Sequence, residues 1–577
     1  MTEALLSEFP PTTTAEWEAA IARDLKGADY DKVLVTRQEG LAIKPYYRAE
    51  DAASFDWLHS APGEFPYARG SNPHGDWRIR ESIEAYDLAE ANRLALAAVA
   101  AGTEAIAFSK LAINNQSDPT HLFSGLNEVP VRITRAGERV IRILIRYLNK
   151  SSRTAEVSAG FDPLENVDFA AQTILALPPL LIPFTIDDVH QEEAGANVVQ
   201  QIGFTLAAGV DYLSAMRERG VDAARAASAV EFGFPVGGNF FLAIAKLRAF
   251  RMLWACAVQN FGAPESGRAR IAARTSRLNK TLYGPRVNIL RATTEAMSAI
   301  LGGANFVNVA PFDACYCEPD EASRRLARNT QLILKKEAML GRVADPGGGA
   351  YALESITAYY AREGWKCMQE VEARGGCRQA AEWITKELEQ SMAVRESFVA
   401  SRRRIFVATN QYANAAEKAI ARIEPARFAA SRRATRAYEE LRLRTERHTA
   451  AGGKLPRVLL AEIGDAKMRA ARSRFAANFF ACAGFEIDAR RFASVDEIAT
   501  AGGDLIVLCS SDPEYAALTA ELVAKLKAAG RVTPVVIAGS PENAEQLKAA
   551  GAADFVHLRS KPLEVLAAWQ QRLGIKD

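Results

Sequence analysis

A carboxylate, an amine and a guanidine stand close together at Asp465, Lys467 and Arg469, with the thioether of Met468 between them. They follow the apolar run Val458, Leu459, Leu460 and Ile463, which reads as a buried strand. Gly464 and Asp465 break that run. From Ala466 the residues are helix formers, through Phe479 and Phe480 to a stop at Ala483-Gly484. In an open parallel sheet, ligands sit where such loops leave the carboxyl ends of the strands. A cofactor held here is therefore expected to take a ligand from this loop, which offers no His and no Cys.

A second cluster, Asp187, Asp188, His190, Gln191, Glu192 and Glu193, follows the apolar stretch Leu180 to Ile186. His190 could donate a hydrogen bond to a substrate carbonyl or shuttle a proton. A hydrated loop accounts for the same residues equally well. Val343 to Tyr351 reads VADPGGGAY, and its glycine N–H groups could cradle a phosphate. The stretch lacks the Lys and Ser/Thr of a P-loop, and a tight turn is the plainer account. Thr275-Ser276-Arg277 is a similar weak candidate after another strand-like run. Cys315 and Cys317 have no second pair nearby to complete a zinc site, so they are read as structural thiols, and no metal site is expected.

The elements that must position these groups alternate along the chain. Strand-like runs are read at 104–108, 140–148, 180–186, 270–274 and 305–309, with helices at 239–260, 285–300 and 321–340. Repeated strand–helix units over 61–392 predict a (β/α)8 barrel, in which groups directly after a strand stand at the mouth. Residues 1–60 read as an arm for partner contact. Thr13 to Glu16 forms a capping box, and the helix after it carries one apolar stripe of Trp17, Ile21 and Leu25. Two short alternating runs follow, at 33–35 and 41–43. Residues 393–454 are expected to be a charged helical connector, its arginines on a solvated face because acidic residues balance them. From 455 to 577, strands at 457–463, 485–488, 505–509, 535–538 and 555–558 predict a flavodoxin-like domain.

The 577 residues carry 71 basic and 69 acidic side chains, which gives no argument for nucleic acid or an anionic membrane. There is no apolar run long enough to span a bilayer, and the start MTEALLSEFPP lacks the features of a secretory signal. Seven scattered cysteines suggest reduced thiols and a cytoplasmic compartment.

Several stretches resemble one family. HQEEAGA at 190–196, TLAAGVDY at 205–212, FFLAIAKLRA at 240–249, Leu253-Trp254, ARNTQL at 327–332 and DPGGGAY at 345–351 are similar to the barrel of methylmalonyl-CoA mutase. WRIR at 77–80 resembles that family's barrel entrance. The resemblance runs nearly the whole chain. It implies a (β/α)8 barrel enclosing an acyl-CoA, joined to a flavodoxin-like cobalamin domain. It also implies a radical 1,2-rearrangement interconverting succinyl-CoA and methylmalonyl-CoA, with adenosylcobalamin as the radical source.

The departures from the family pattern carry more weight. Catalytic members have D-x-H-x-x-G in the first loop of the last domain, and its His is the lower cobalt ligand. Here that motif reads Asp465-Ala-Lys467-Met-Arg-Ala470. An ammonium has no lone pair, and with a reference pKa of about 10.4 it rarely deprotonates near neutrality. Ala470 adds a Cβ where the family has Gly. The family's S-x-L reads Ser510-Ser-Asp512, and its G-G reads Ala538-Gly539. In the barrel, the catalytic Tyr aligns with Asn72 and the Tyr before the active-site His with Val189. Only His190 remains. The stretch from Pro163 to Phe184 is shorter than in catalytic members, and their arginine and glutamine substrate contacts have no counterpart there.

This pattern resembles the small subunit of the heterodimeric mutases. It implies a chain with no catalytic residue of its own, His190 being a remnant, and with a degenerate cobalamin loop at Asp465, Lys467, Ala470, Ser510, Asp512 and Gly539. Adenosylcobalamin and the acyl-CoA would then sit on a catalytic large subunit, in a heterodimer serving propionate metabolism. Two other readings stand beside it. One is a stand-alone acyl-CoA enzyme that uses His190 without cobalamin; the other is a scaffold for a different partner.

Overall fold

The computed structural model describes residues 12–575, the side chain of Val189 excepted; the first eleven residues, on which the reading of a non-secretory start rests, lie outside them. The arm contributes a hairpin, β1 (Thr36–Gln38) and β2 (Leu41–Ile43). Eight parallel strands then close a barrel: β3 (Arg78–Glu84), β4 (Ala105–Ser109), β5 (Val131–Ile133), β6 (Val157–Phe161), β7 (Leu181–Asp187), β8 (Val230–Val236), β9 (Ile271–Thr275) and β10 (Phe306–Asn308). Each strand pairs with the next in sequence, and β10 returns to β3 through Phe306 opposite Arg78. The helices between them bury alanine-rich faces on the strands. Phe240–Asn260 is covered on nearly every side, and Phe232, Phe250 and Trp254 meet edge to face.

The run at 140–148, expected as a strand, is the outer part of a helix, Glu138–Leu148. Arg142 and Arg146 are one helical turn apart, and Ile141, Leu144 and Leu148 form the opposing buried stripe. The true neighbouring strand is β5, whose three residues are too few to show a period. The arm's first run also shifts: Tyr30–Val33 is a helical turn capped by Asp29, and the hairpin begins only at Thr36.

The last domain is a five-stranded parallel sheet in the order β12-β11-β13-β14-β15, with β11 (Arg457–Glu462), β12 (Glu486–Arg491), β13 (Leu505–Cys509), β14 (Val535–Ala538) and β15 (Ala552–Val556). That order is flavodoxin-like, and its topological switch point lies between β11 and β13. Two cores cover its faces. Val458, Leu460 and Val507 face the helices Ala466–Ala481 and Pro562–Arg572, while Leu459, Ile506 and Ile537 face Tyr515–Ala528.

The connector is only partly helical, because residues 401–435 hold just short turns. Its arginines do not all lie on a solvated face. Arg433 is buried against Glu439, and Arg442 is buried over the Tyr283 ring, 4.0 Å from its centroid. The cause is the packing of the helix Arg436–Ala450 on both sides. Glu439 accepts from the Leu282 N–H and Glu446 from the Tyr283 hydroxyl of the barrel, while Thr445 donates to the Ala483 carbonyl of the last domain. A buried guanidinium needs such partners.

Candidate functional site

At the C-terminal end of the barrel, β7 runs one residue beyond the expected strand and ends at Asp187. His190 to Glu193 then fall in a short helix, Val189–Ala194. His190 is exposed, and its Nε2 lies 2.7 Å from Nη2 of Arg135. A guanidinium only donates, so Nε2 accepts and the ring proton sits on Nδ1. Arg135 is carried on a left-handed residue, φ +58°, and a Cβ at Gly160 would lie 2.5 Å from the Arg135 nitrogen. Glycine is therefore required at 160 for this close approach. Glu192 accepts from Ser276 at 2.8 Å, which joins two of the sequence candidates. Thr275 accepts from the Ala310 N–H, and Arg277 lies 3.9 Å from Glu193. Asp188 is fully buried with no hydrogen-bond partner on either oxygen. Burial pushes its carboxyl well above the usual range, although Lys246 opposes the shift.

A cavity of about 730 Å³ opens at this mouth. The glycine-rich turn does not take part in it. Asp345 pairs with Arg69 and Arg248, Glu354 pairs with Arg248 at 2.6 Å, and the Gly349 N–H is given to Glu354. The Gly348 N–H is given to the Asp345 carbonyl, so both glycine amides are already used within the chain, as in a tight turn. Cys315 is buried and Cys317 half-buried. Burial pushes their thiols up to about 12 and about 11, which removes their nucleophilic character near neutrality. Among the described residues, no group of three His, Cys, Asp or Glu is placed to hold a metal.

At the switch point of the sheet, the helix begins at Ala466, directly after the strand and its Gly464-Asp465 break. Asp465 caps that helix by accepting from the Met468 N–H at 2.8 Å. Lys467 is exposed on the first turn, and Ala470 lies one turn on. The crevice beside them is occupied by the chain itself. The Glu514 carboxylate accepts from the Ser510 and Ser511 hydroxyls, each at 2.6 Å, from the Ser511 N–H at 3.1 Å and from the Asp465 N–H at 3.2 Å. It thus ties the end of β13 to the end of β11. Arg472 pairs with Asp512 at 3.0 Å, and both pack on Gly539. Tyr515 closes the next gap, giving its hydroxyl proton to the Ala538 carbonyl and accepting from the Ser510 N–H.

The Ser510 and Ser511 hydroxyls, then the amides, depress the Glu514 carboxyl to about 2, against an ordinary 4.5. A depressed carboxyl adds stability that is complete above the ordinary value and drains as pH falls toward the lowered one. Glu514→Gln is therefore expected to lose less thermal stability than the parent between about pH 5 and about pH 3. Circular-dichroism melts at the two pH values check this, and equal acid sensitivity would contradict it.

The family model described as methylmalonyl-CoA mutase matches residues 166–484, more than half of the chain. The methylmalonyl-CoA mutase small subunit of Porphyromonas gingivalis is 35% identical, over 100% of this chain and 99% of its own length. This chain belongs to the methylmalonyl-CoA mutase family. The Streptomyces virginiae small subunit is 32% identical over 99% of this chain and 98% of its own. A relative named simply methylmalonyl-CoA mutase, from Cereibacter sphaeroides, is 31% identical but covers 70% of this chain and 65% of its own length.

Within a mutase-family chain, a cobalamin domain would need an imidazole at the first loop and open space over the switch point. Neither fits here. The candidate position carries an exposed lysine, and the crevice holds Glu514 and the Arg472–Asp512 pair. Reasoning from the sequence missed Glu514, Arg472 and Arg135. Glu514 was legible as the last residue of Ser511-Asp-Pro-Glu514, a capping box that forms in the structure. Arg135 stayed hidden behind the misread strand at 140–148.

Proposed function

We propose that this chain is the small, non-catalytic subunit of an adenosylcobalamin-dependent methylmalonyl-CoA mutase, supporting a large subunit that holds the corrin and carries out the interconversion of succinyl-CoA and methylmalonyl-CoA. The observation that carries the reading is the set of Glu514 hydrogen bonds that cross the switch point, in a chain whose full-length relatives are named small subunits. Two further features support it. The His190 imidazole at the barrel mouth accepts a hydrogen bond from Arg135 through Nε2, so that nitrogen is not free to donate to a substrate carbonyl. The arm helix Thr14–Asp24 buries none of its residues, leaving Trp17 48% exposed, as a stripe awaiting a partner would be. The seven free thiols suit a reducing, cytoplasmic compartment, and no described helix is long and apolar enough to cross a membrane.

The test is native mass spectrometry of the complex purified from its source, with mutase assays on the complex and on the lone chain. The expected result is a one-to-one pair with a longer homologous chain, with turnover in the pair and none in the lone chain. Acyl-CoA turnover by the lone chain would replace this reading with the stand-alone enzyme. A complex with an unrelated protein would replace it with the scaffold.

A further inference from the structure

The last domain hangs on a charged connector that ends in Ala450-Ala-Gly-Gly453. Domains joined in this way ordinarily move against one another unless a large apolar interface holds them. Here the connector's last helix, Arg436–Ala450, is built into both domains.

One face of the helix belongs to the barrel. Glu439 and Glu446 stand two turns apart on it, and both are buried. Glu439 accepts from the Leu282 N–H at 2.8 Å and from the Thr435 hydroxyl at 2.9 Å, and it pairs with Arg433 at 2.7 Å. Glu446 accepts from the Tyr283 hydroxyl at 2.7 Å and from the Ala419 and Ile420 N–H groups at 2.8 and 3.1 Å. Leu443, between them, joins Leu282, Tyr283 and Phe428 in one small core. The same barrel loop is fastened a second time. The Gly284 N–H is given to the Glu417 carboxylate at 2.9 Å, and the Glu417 carbonyl accepts from Arg442 at 2.7 Å.

The other face belongs to the last domain. Tyr438 and Leu441 join Phe479, Phe480, Phe485 and Trp569 in its core. Thr445 gives its hydroxyl proton to the Ala483 carbonyl at 2.7 Å and accepts from the Gln570 amide at 2.8 Å. That amide, fully buried, also donates to the Leu441 carbonyl at 2.6 Å. Val399, from the end of the helix Ala381–Ala400, and Phe406 complete the same core, and the Tyr438 hydroxyl donates to the Ala400 carbonyl at 2.9 Å. A swing about either end of Arg436–Ala450 would expose aromatic core to water or leave buried carboxylates and hydroxyls against apolar surface. Both are costly.

We propose that the helix Arg436–Ala450 is an interdomain lock, which holds the last domain in one orientation on the barrel in the free chain, with no cofactor or partner needed to set it. This does not rest on the subunit reading, because its readout is retention within the chain alone. The test cuts the covalent link on each side of the helix in turn. One full-length variant carries a short protease site between Ala451 and Gly452, and another carries it between Ala415 and Ala416; Ala451, Gly452 and Ala416 are exposed. After the folded chain is cut, the two fragments should stay together through gel filtration in both variants. Gln570→Ala added to the first, and Glu446→Ala added to the second, should each speed fragment release by about tenfold or more, since each strands buried partners. Circular dichroism before cutting confirms that the chains are folded. Thr445→Val replaces Gln570→Ala, and Glu446→Gln replaces Glu446→Ala, if either is not. Prompt release of 452–577 or 416–577 without a point substitution would overturn the proposal, as would folded point variants that release no faster than the cut parent.

Discussion

Glu231→Gln is expected to destabilise the barrel by about 3–5 kcal/mol, seen as a lower denaturant midpoint for the barrel's unfolding transition. Burial by itself pushes the Glu231 carboxyl up, but attraction from Arg80, then Arg132 and Arg270, outweighs it and holds the group well below its ordinary value. Removing that one charge leaves three guanidiniums facing one another inside the barrel, Arg80 and Arg132 nearly fully buried and Arg270 partly so. The cost is mostly the repulsion and desolvation of what remains. Combining Glu231→Gln with Arg132→Met should therefore recover part of the loss, since one of the stranded cations goes with it. A single variant as stable as the parent would mean that the cluster does not close the barrel.

The second large effect is expected at Arg248, whose fully buried fork holds Asp345 and Glu354, two carboxylates nearly as deeply buried. Arg248→Ala leaves Glu354 with no cation and Asp345 with Arg69 alone, at a cost of about 3–5 kcal/mol. Because those carboxylates pin the turn 345–349, limited proteolysis should cut the variant there and leave the parent intact. Arg248→Lys should fall between the two, since an ammonium cannot make the forked contact. Equal protease resistance in Arg248→Ala would show that the turn is held by something else.

The fold class was legible in the sequence because the last domain declares its strands as short apolar runs and the barrel repeats its strand–helix unit. What escaped was local. β5 has three residues, and β8 is interrupted by Gly233 and Pro235, so neither shows a clean period. The helix 138–148 was misread because its apolar residues outnumber the three arginines, Arg139, Arg142 and Arg146, that mark its outer face. The burial of Arg433 follows from the Glu439 carboxylate six residues on, and that of Arg442 from the Asn414 and Glu417 carbonyls brought alongside by tertiary packing, which balanced composition alone does not reveal. The candidate site divides in the same way. Lys467 and Ala470 stand out in the sequence as departures from the pattern of the family it resembles. The filling of the crevice is not, because Glu514 lies far from Asp465 in the chain and reaches it only through the pairing of β11 with β13.

The most direct test of the account is the cobalt-to-chain ratio of the purified lone chain, measured after incubation with excess adenosylcobalamin and gel filtration. The account predicts no cobalt above background and no corrin absorbance in the protein peak. A ratio near one cobalt per chain would contradict it, since the corrin would then occupy the crevice that Glu514 spans.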